Sequence, residues 1–184
     1  MSEKTGSEER EDVSRASLLD VLVYGNETLR GRSTAVEEID DDISRLVDSL
    51  FATMYDAPGI GLAAPQVGRL VRLFVVDPAR AEEPPQPLAM INPSILEYSG
   101  GVEIEEGCLS VPGVWAEVRR PEQILVRYHD VDGKEHEREF DGLMARVIQH
   151  ENDHLDGRLF IDHLSSMRRT LLSRKLRQIQ ADSR

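Results

Sequence analysis

At 184 residues the chain fits one ordinary domain with a single continuous core. Its formal net charge of -12 argues against a DNA-binding protein, because a broadly acidic surface repels phosphates. Apolar stretches such as Leu18 to Val23 and Leu73 to Val76 are too short to cross a membrane, and the single cysteine excludes an intramolecular disulfide.

Met1 to Ser17 is a polar leader rich in Ser, Glu and Arg, without the apolar stretch of a secretory signal, so a cytoplasmic location is expected. Between Glu37 and Met54, Ile39, Ile43, Leu46, Val47, Leu50, Phe51 and Met54 recur at three- and four-residue steps, predicting an amphipathic helix that Pro58 and Gly59 stop. The acidic run Asp40 to Asp42 falls in its first turns, where negative charge suits the helix dipole, and reads as a solvated face rather than a metal site. Arg72 to Asp77, Ala89 to Ile91, Val102 to Glu105 and Ile124 to Tyr128 are short stretches of β-branched or alternating apolar residues, and predict strands. Proline-rich Glu82 to Pro87 interrupts them at the surface, while Asp132-Gly133 signals a hairpin and hence mostly antiparallel pairing. Asp141 is placed to cap a second helix reaching His154 or Leu155, with Gly157 at its C-terminal end. A third helix is expected from Leu164 to Ile179, with Leu164, Leu171 and Leu172 toward the body and Arg168, Arg174 and Lys175 elsewhere. From His163 to Arg184 six basic residues stand against one acid. The expected organisation is a leader over 1–17, a body over 18–165 and a basic helical extension over 166–184.

The second helix carries the chemistry. His150-Glu151-Asn152-Asp153-His154 puts two imidazoles four residues apart, so both rings can reach one ion. Leu143, Val147, His150, Glu151 and His154 share one helical face, and burying three titratable groups together costs several kcal/mol that a divalent ion removes. Catalytic sites of this kind use three protein ligands and keep one position open. A lone cysteine reads first as a buried core residue, yet beside this histidine pair Cys108 becomes the best third ligand; Glu106-Gly107 and Leu109-Ser110 predict a sharply shaped loop around it. Glu151 stands where a carboxylate can take a proton from activated water and pass it to a leaving group. His129, His136 and His163 lack clamp spacing, which favours an open catalytic site over a closed structural one. Gly59-Ile60-Gly61-Leu62-Ala63-Ala64-Pro65-Gln66 has no suitably placed lysine for a nucleotide site, and reads as a loop that lets a substrate backbone approach closely.

Together, Gly59 to Gln66, Glu106-Gly107-Cys108-Leu109-Ser110 and Gln149-His150-Glu151-Asn152-Asp153-His154 resemble the three signature motifs of the peptide deformylases, in order. The resemblance covers roughly Leu18 to Ser165. It implies an α+β fold of mostly antiparallel sheets around a central metal-binding helix, and a metal-dependent hydrolase that removes the formyl group from the N-terminal methionine of newly made proteins, releasing formate. Cys108, His150 and His154 would be the metal ligands, with Fe2+ the usual ion and Zn2+, Ni2+ or Co2+ able to substitute. Glu151 would be base and then acid. The Gln66 amide and the Leu109 backbone N–H would stabilise the oxyanion, and Ile60, Val147 and the backbone around Gly61 and Glu106 would form the methionine pocket. Arg146 stands where that family more often has an apolar residue; Tyr24-Gly25-Asn26-Glu27 lacks the prolines common near the family's start, and the leader and Pro84-Pro85 fall outside the shared pattern.

Two other readings compete. A zinc endopeptidase uses the same helix motif, but with a third ligand further along the chain rather than upstream like Cys108. A metal-stabilised binding module would use the ion only to hold the fold. The basic C-terminal segment would contact RNA in that module, and beside the deformylase resemblance it is a candidate ribosome contact.

Overall fold

The computed structural model describes residues 16–79 and 83–182; the leader through residue 15, residues 80–82, which include the first residue of the proline-rich interruption, and the last two residues lie outside them. Helix α1 (Asp41–Asp56) begins later than its periodicity predicts, because Asp40 is extended and its side chain accepts the Ile43 N–H at 2.9 Å. Ile39 still packs against the same apolar cluster, from outside the helix.

Strands β1 (Gly61–Ala63), β2 (Leu73–Val76), β3 (Leu88–Ser99), β6 (Gln123–His129) and β7 (Glu135–Asp141) form an antiparallel sheet in the order β1-β2-β3-β6-β7. Strands β4 (Val102–Cys108) and β5 (Val111–Arg120) form a separate two-stranded sheet. Successive side chains on a strand face opposite sides, and β2 shows what this does here. Leu73 and Val75 join Leu46, Leu50 and Met54 of α1, whereas Phe74 and Val76 join Ala145, Val147 and Ile148 of helix α2 (Gly142–Leu155). The large sheet is thus covered by α1 on one face and α2 on the other, so β2 reads as a continuous apolar run.

The small sheet has its own core. Val111, Val114 and Val118 of β5 pack with Phe160 and Ile161 of a 3-10 turn (Phe160–His163), with Leu164, and with Leu176 and Ile179 of helix α3 (Ser166–Asp182).

Several local expectations are corrected. Leu164 precedes α3 rather than belonging to it, and Leu171 is 78% exposed; Leu176 and Ile179, further along the helix, face the body instead. Arg168 is not free: its guanidinium pairs with Glu103 and Glu117 of the small sheet. Asp141 occupies the N-cap of α2 but makes no side-chain cap bond. Gly157 has the expected left-handed conformation, and a side chain there would also meet the Arg30 carbonyl at 2.5 Å. Among the described residues no helix is long and apolar enough to cross a membrane.

Candidate metal centre and active site

α2 presents His150 and His154 one turn apart, with ring centroids 5.2 Å apart and planes at 73°. Cys108 is the last residue of β4, reached through a register shift between Glu106 and Cys108, rather than part of a free loop. The bulge bends the strand end toward α2 and brings the sulfur within 3.3 Å of His154 Nε2. One ligand atom from each of Cys108, His150 and His154 lies within 4.8 Å of the others, and among the described residues no other group of this kind is found. A thiolate and two imidazoles suit a divalent transition ion, and the upstream cysteine completes the set where the endopeptidase reading needs a downstream ligand.

His150 is aimed by its other nitrogen. Nδ1 lies 3.0 Å from Glu106 Oε2, which leaves Nε2 for an ion. Burial alone would lower the His150 pKa, but its hydrogen bonds to Cys108 and Glu106 raise it well above the ordinary range. Burial, reinforced by the neighbouring His150, pushes His154 well below it. One ring that holds a proton strongly beside one that resists it is an arrangement a divalent cation resolves by taking the proton's place.

Glu106 is the largest surprise of the site. Expected only as backbone pocket wall, its carboxylate lies at the centre of a buried charge network. Oε1 accepts from Arg120 Nε at 2.6 Å and Arg146 Nη1 at 2.5 Å, and Oε2 accepts from Arg120 Nη2 at 3.0 Å. Burial would raise its pKa; His150 and Arg120 overcome this and hold it at about 2. Arg120 also donates to Asp153 Oδ2 at 2.8 Å, which in turn meets His163. Sequence patterning missed Arg120, Asp153 and the buried placement of Arg146, since long charged side chains ordinarily read as surface.

Glu151 is 4% exposed, and its Oε2 has no hydrogen-bond partner. Burial raises its carboxyl to about 7, against the pull of His150 and Arg120. Gly61 makes room for it: a Cβ at that position would collide with Glu151 Oε1 and lie 2.8 Å from Val147 Cγ1. The predicted glycine loop proves to be a short strand, β1, followed by a 3-10 turn (Ala64–Val67) that buries Gln66. Gln66 Oε1 accepts the Ala63 N–H at 2.8 Å, while Nε2 reaches Ser110 Oγ at 3.1 Å and the Cys108 sulfur at 3.6 Å.

A cleft of about 460 Å³ opens over these groups, lined by Ile60, Gly61, Gln66, Glu106, Cys108, Leu109, Val147, His150 and Glu151. Every expected site residue except the deeply buried His154 therefore meets in one cavity. Leu143, Val114 and Trp115 extend its apolar wall. A larger groove of about 750 Å³, over β3, β6 and β7, includes Arg138, Glu139 and Asp141 but none of the ligand-bearing residues.

Comparison with known proteins identifies the family. The model of the polypeptide deformylase family matches residues 18–170. The peptide deformylase of Hydrogenovibrio crunogenus is 49% identical over 164 residues, which are 89% of this chain and 96% of that protein. The crystal structure of a peptide deformylase from Legionella pneumophila superposes with a TM-score of 0.83 at 40% identity, covering 90% of this chain and 96% of the other. That of the Thermus thermophilus peptide deformylase gives 0.84 at 39% identity, covering 91% and 100%. A family match over most of the length, with relatives near half identity on the same α+β fold, leads to one conclusion: the chain belongs to the polypeptide deformylase family.

Proposed function

We propose that this protein hydrolyses the N-formyl group of the N-terminal formyl-methionine on newly made proteins, releasing formate and a free amine. One observation carries the reading: three convergent metal-ligand atoms lie beside a buried carboxylate oxygen without a partner, at the floor of a mostly apolar cleft.

Cys108, His150 and His154 hold the ion, whose contribution when bound is to polarise water and the formyl carbonyl. Fe2+ is taken as the native ion, and the same soft and borderline donors accept Zn2+, Ni2+ or Co2+. Glu151, with its pKa near neutrality, takes a proton from the attacking water and returns it to the amine as the carbon–nitrogen bond breaks. Gln66 Nε2 and the Leu109 backbone N–H donate to the oxygen on which negative charge develops. Ile60 and Val147, with the backbone at Gly61 and Glu106, receive the methionine side chain, and the neighbouring glycines let a peptide backbone lie close.

The reaction belongs to the cytoplasm, where chains emerge from ribosomes. Arg169, Arg174, Lys175 and Arg177 are exposed on α3 and supply a basic face for ribosomal RNA. Because Leu176 and Ile179 of that helix are core residues, charge reversal at Arg174 and Arg177 is a cleaner test than deletion. Loss of ribosome co-sedimentation is expected, and unchanged binding rejects the contact.

The activity itself is tested by anaerobic incubation of metal-loaded protein with formyl-Met peptides and unformylated controls. Formate should appear from the former alone. Internal cleavage without formate would overturn the reading in favour of an endopeptidase.

A further inference from the structure

The metal ligands come from two parts of the molecule that do not share an apolar core. α2, which carries His150 and His154, packs through Ala145, Val147, Ile148 and Leu155 into the cluster beneath the large sheet. The small sheet, which carries Cys108, packs through Val111, Val114 and Val118 into the cluster with α3. These two clusters have no residue in common. Leu109 packs against the α1 cluster and His150 stacks on Phe160 at 6.0 Å, and a polar connection adds to these contacts in holding the sulfur in range of the rings.

Arg146 makes that connection. It stands on α2 one turn before His150 and is only 5% exposed. Its Nη1 donates to Glu106 Oε1 at 2.5 Å and to the Val118 carbonyl at 3.0 Å, and its Nη2 donates to the Val102 carbonyl at 2.7 Å. One planar guanidinium thus grips the first residue of β4, a carbonyl of β5, and the carboxylate that aims His150. Arg120 lies on β5, binds both oxygens of Glu106 and reaches α2 at Asp153.

We propose that Arg146 is a positioning residue for the metal centre, docking the small sheet onto α2 so that Cys108 stays within reach of His150 and His154. Its fork geometry is what the role requires. Three acceptors on two strands lie around one rigid group, and a lysine offers a single ammonium that cannot span them. Truncation would take one donor from two backbone carbonyls and one from Glu106 Oε1, which would keep only Arg120 Nε.

The proposal rests on Cys108, His150 and His154 holding the ion, and its test keeps the two apart. Wild-type protein, Cys108→Ser, Arg146→Met, Arg146→Lys and Arg168→Met are loaded with Co2+. Each is read by its thiolate-to-cobalt charge-transfer absorption, its visible ligand-field bands and the rate of Co2+ loss to excess chelator. Arg168→Met serves as control, since it cuts exposed pairs from α3 to the same hairpin without touching Glu106. Arg146→Met should shift the bands and release Co2+ roughly tenfold faster, the lower end of what loss of supporting residues does to metal sites. Arg146→Lys should fall between it and wild type, and Arg168→Met should match wild type. Wild-type bands and rate in folded Arg146→Met would overturn the proposal; should that variant not fold, the same result in Arg146→Lys overturns it. A wild-type spectrum lacking the charge-transfer band, or one that Cys108→Ser leaves intact, would instead sink the ligand assignment itself.

Discussion

The sulfur of Cys108 lies 3.3 Å from Nε2 of His154, a residue 46 positions further along the chain. The two meet because β4 ends at a bulge and α2 places His154 one turn beyond His150. Neither the strand end nor the helix forms a site alone, so each can be perturbed separately.

Glu151→Gln keeps the shape of the side chain and removes its capacity to take a proton. Turnover of formyl-Met peptides should fall by about 10² to 10⁴-fold, the usual contribution of general acid–base catalysis. Metal content by elemental analysis should equal that of wild type, because Glu151 is not one of the three convergent ligands. Parallel loss of metal and activity would count against its role as proton carrier.

Gly61→Ala tests the space given to that carboxylate. The new methyl would meet Glu151 Oε1 and Val147 Cγ1, so Glu151 must swing away from the cleft floor. A displacement near 1 Å costs about 10²-fold in rate. The variant should show this loss with its metal retained, and full activity would mean that Glu151 has freedom its packing does not reveal.

Glu106→Gln leaves Arg120 and Arg146 buried with one carboxylate fewer between them. Removing one partner of a buried ion pair costs about 3–5 kcal/mol, and loss of a ligand's orienting partner lowers metal affinity by roughly 10–100-fold. Both a lower Tm and weaker metal retention are expected. A substitution that lowers only one of them would show that structural and orienting roles are separable.

At the C-terminal end of α1, Tyr55 Oη donates to Asp77 Oδ2 at 2.7 Å. Local desolvation of the hydroxyl, this bond and the Asp77 charge raise the tyrosine from its ordinary 10.0 to about 12, although the residue as a whole is 53% exposed. The unfolded chain therefore loses this proton at lower pH than the folded one. The stabilisation is complete below pH 10 and is lost as pH rises toward 12. Asp77 behaves oppositely. Burial would raise its pKa, but the Tyr55 bond and the backbone N–H groups of Gln86 and Ala79 lower it, so its contribution is lost as pH falls through the folded value below 3.8. Tyr55→Phe should flatten the decline of chemical-denaturation stability between pH 10 and 12. An alkaline arm unchanged by the substitution would refute this assignment.

How far the sequence could be read depended on how local each signal was. The α1 face and the α2 polar trio follow from helical period, and the hairpin before β7 from the Asp132-Gly133 turn signal, all within a few residues of chain. β7 itself, Glu135–Asp141, is mostly charged and buries Phe140 but little else; it is a strand because β6 pairs with it, residue by residue. The expected inward Leu171 failed because α3 meets the body near its C-terminal half, a docking position its own period does not encode.

The same division runs through the site. Residue type and spacing alone were enough to name a thiol, two imidazoles one helical turn apart and the glutamate between them, because ligand chemistry and helix pitch are properties of short segments. What Glu106 does was decided only by tertiary structure. A carboxylate on a strand reads identically whether it faces water or two guanidiniums and an imidazole, and only the docking of the small sheet against α2 removes the water and supplies those three partners.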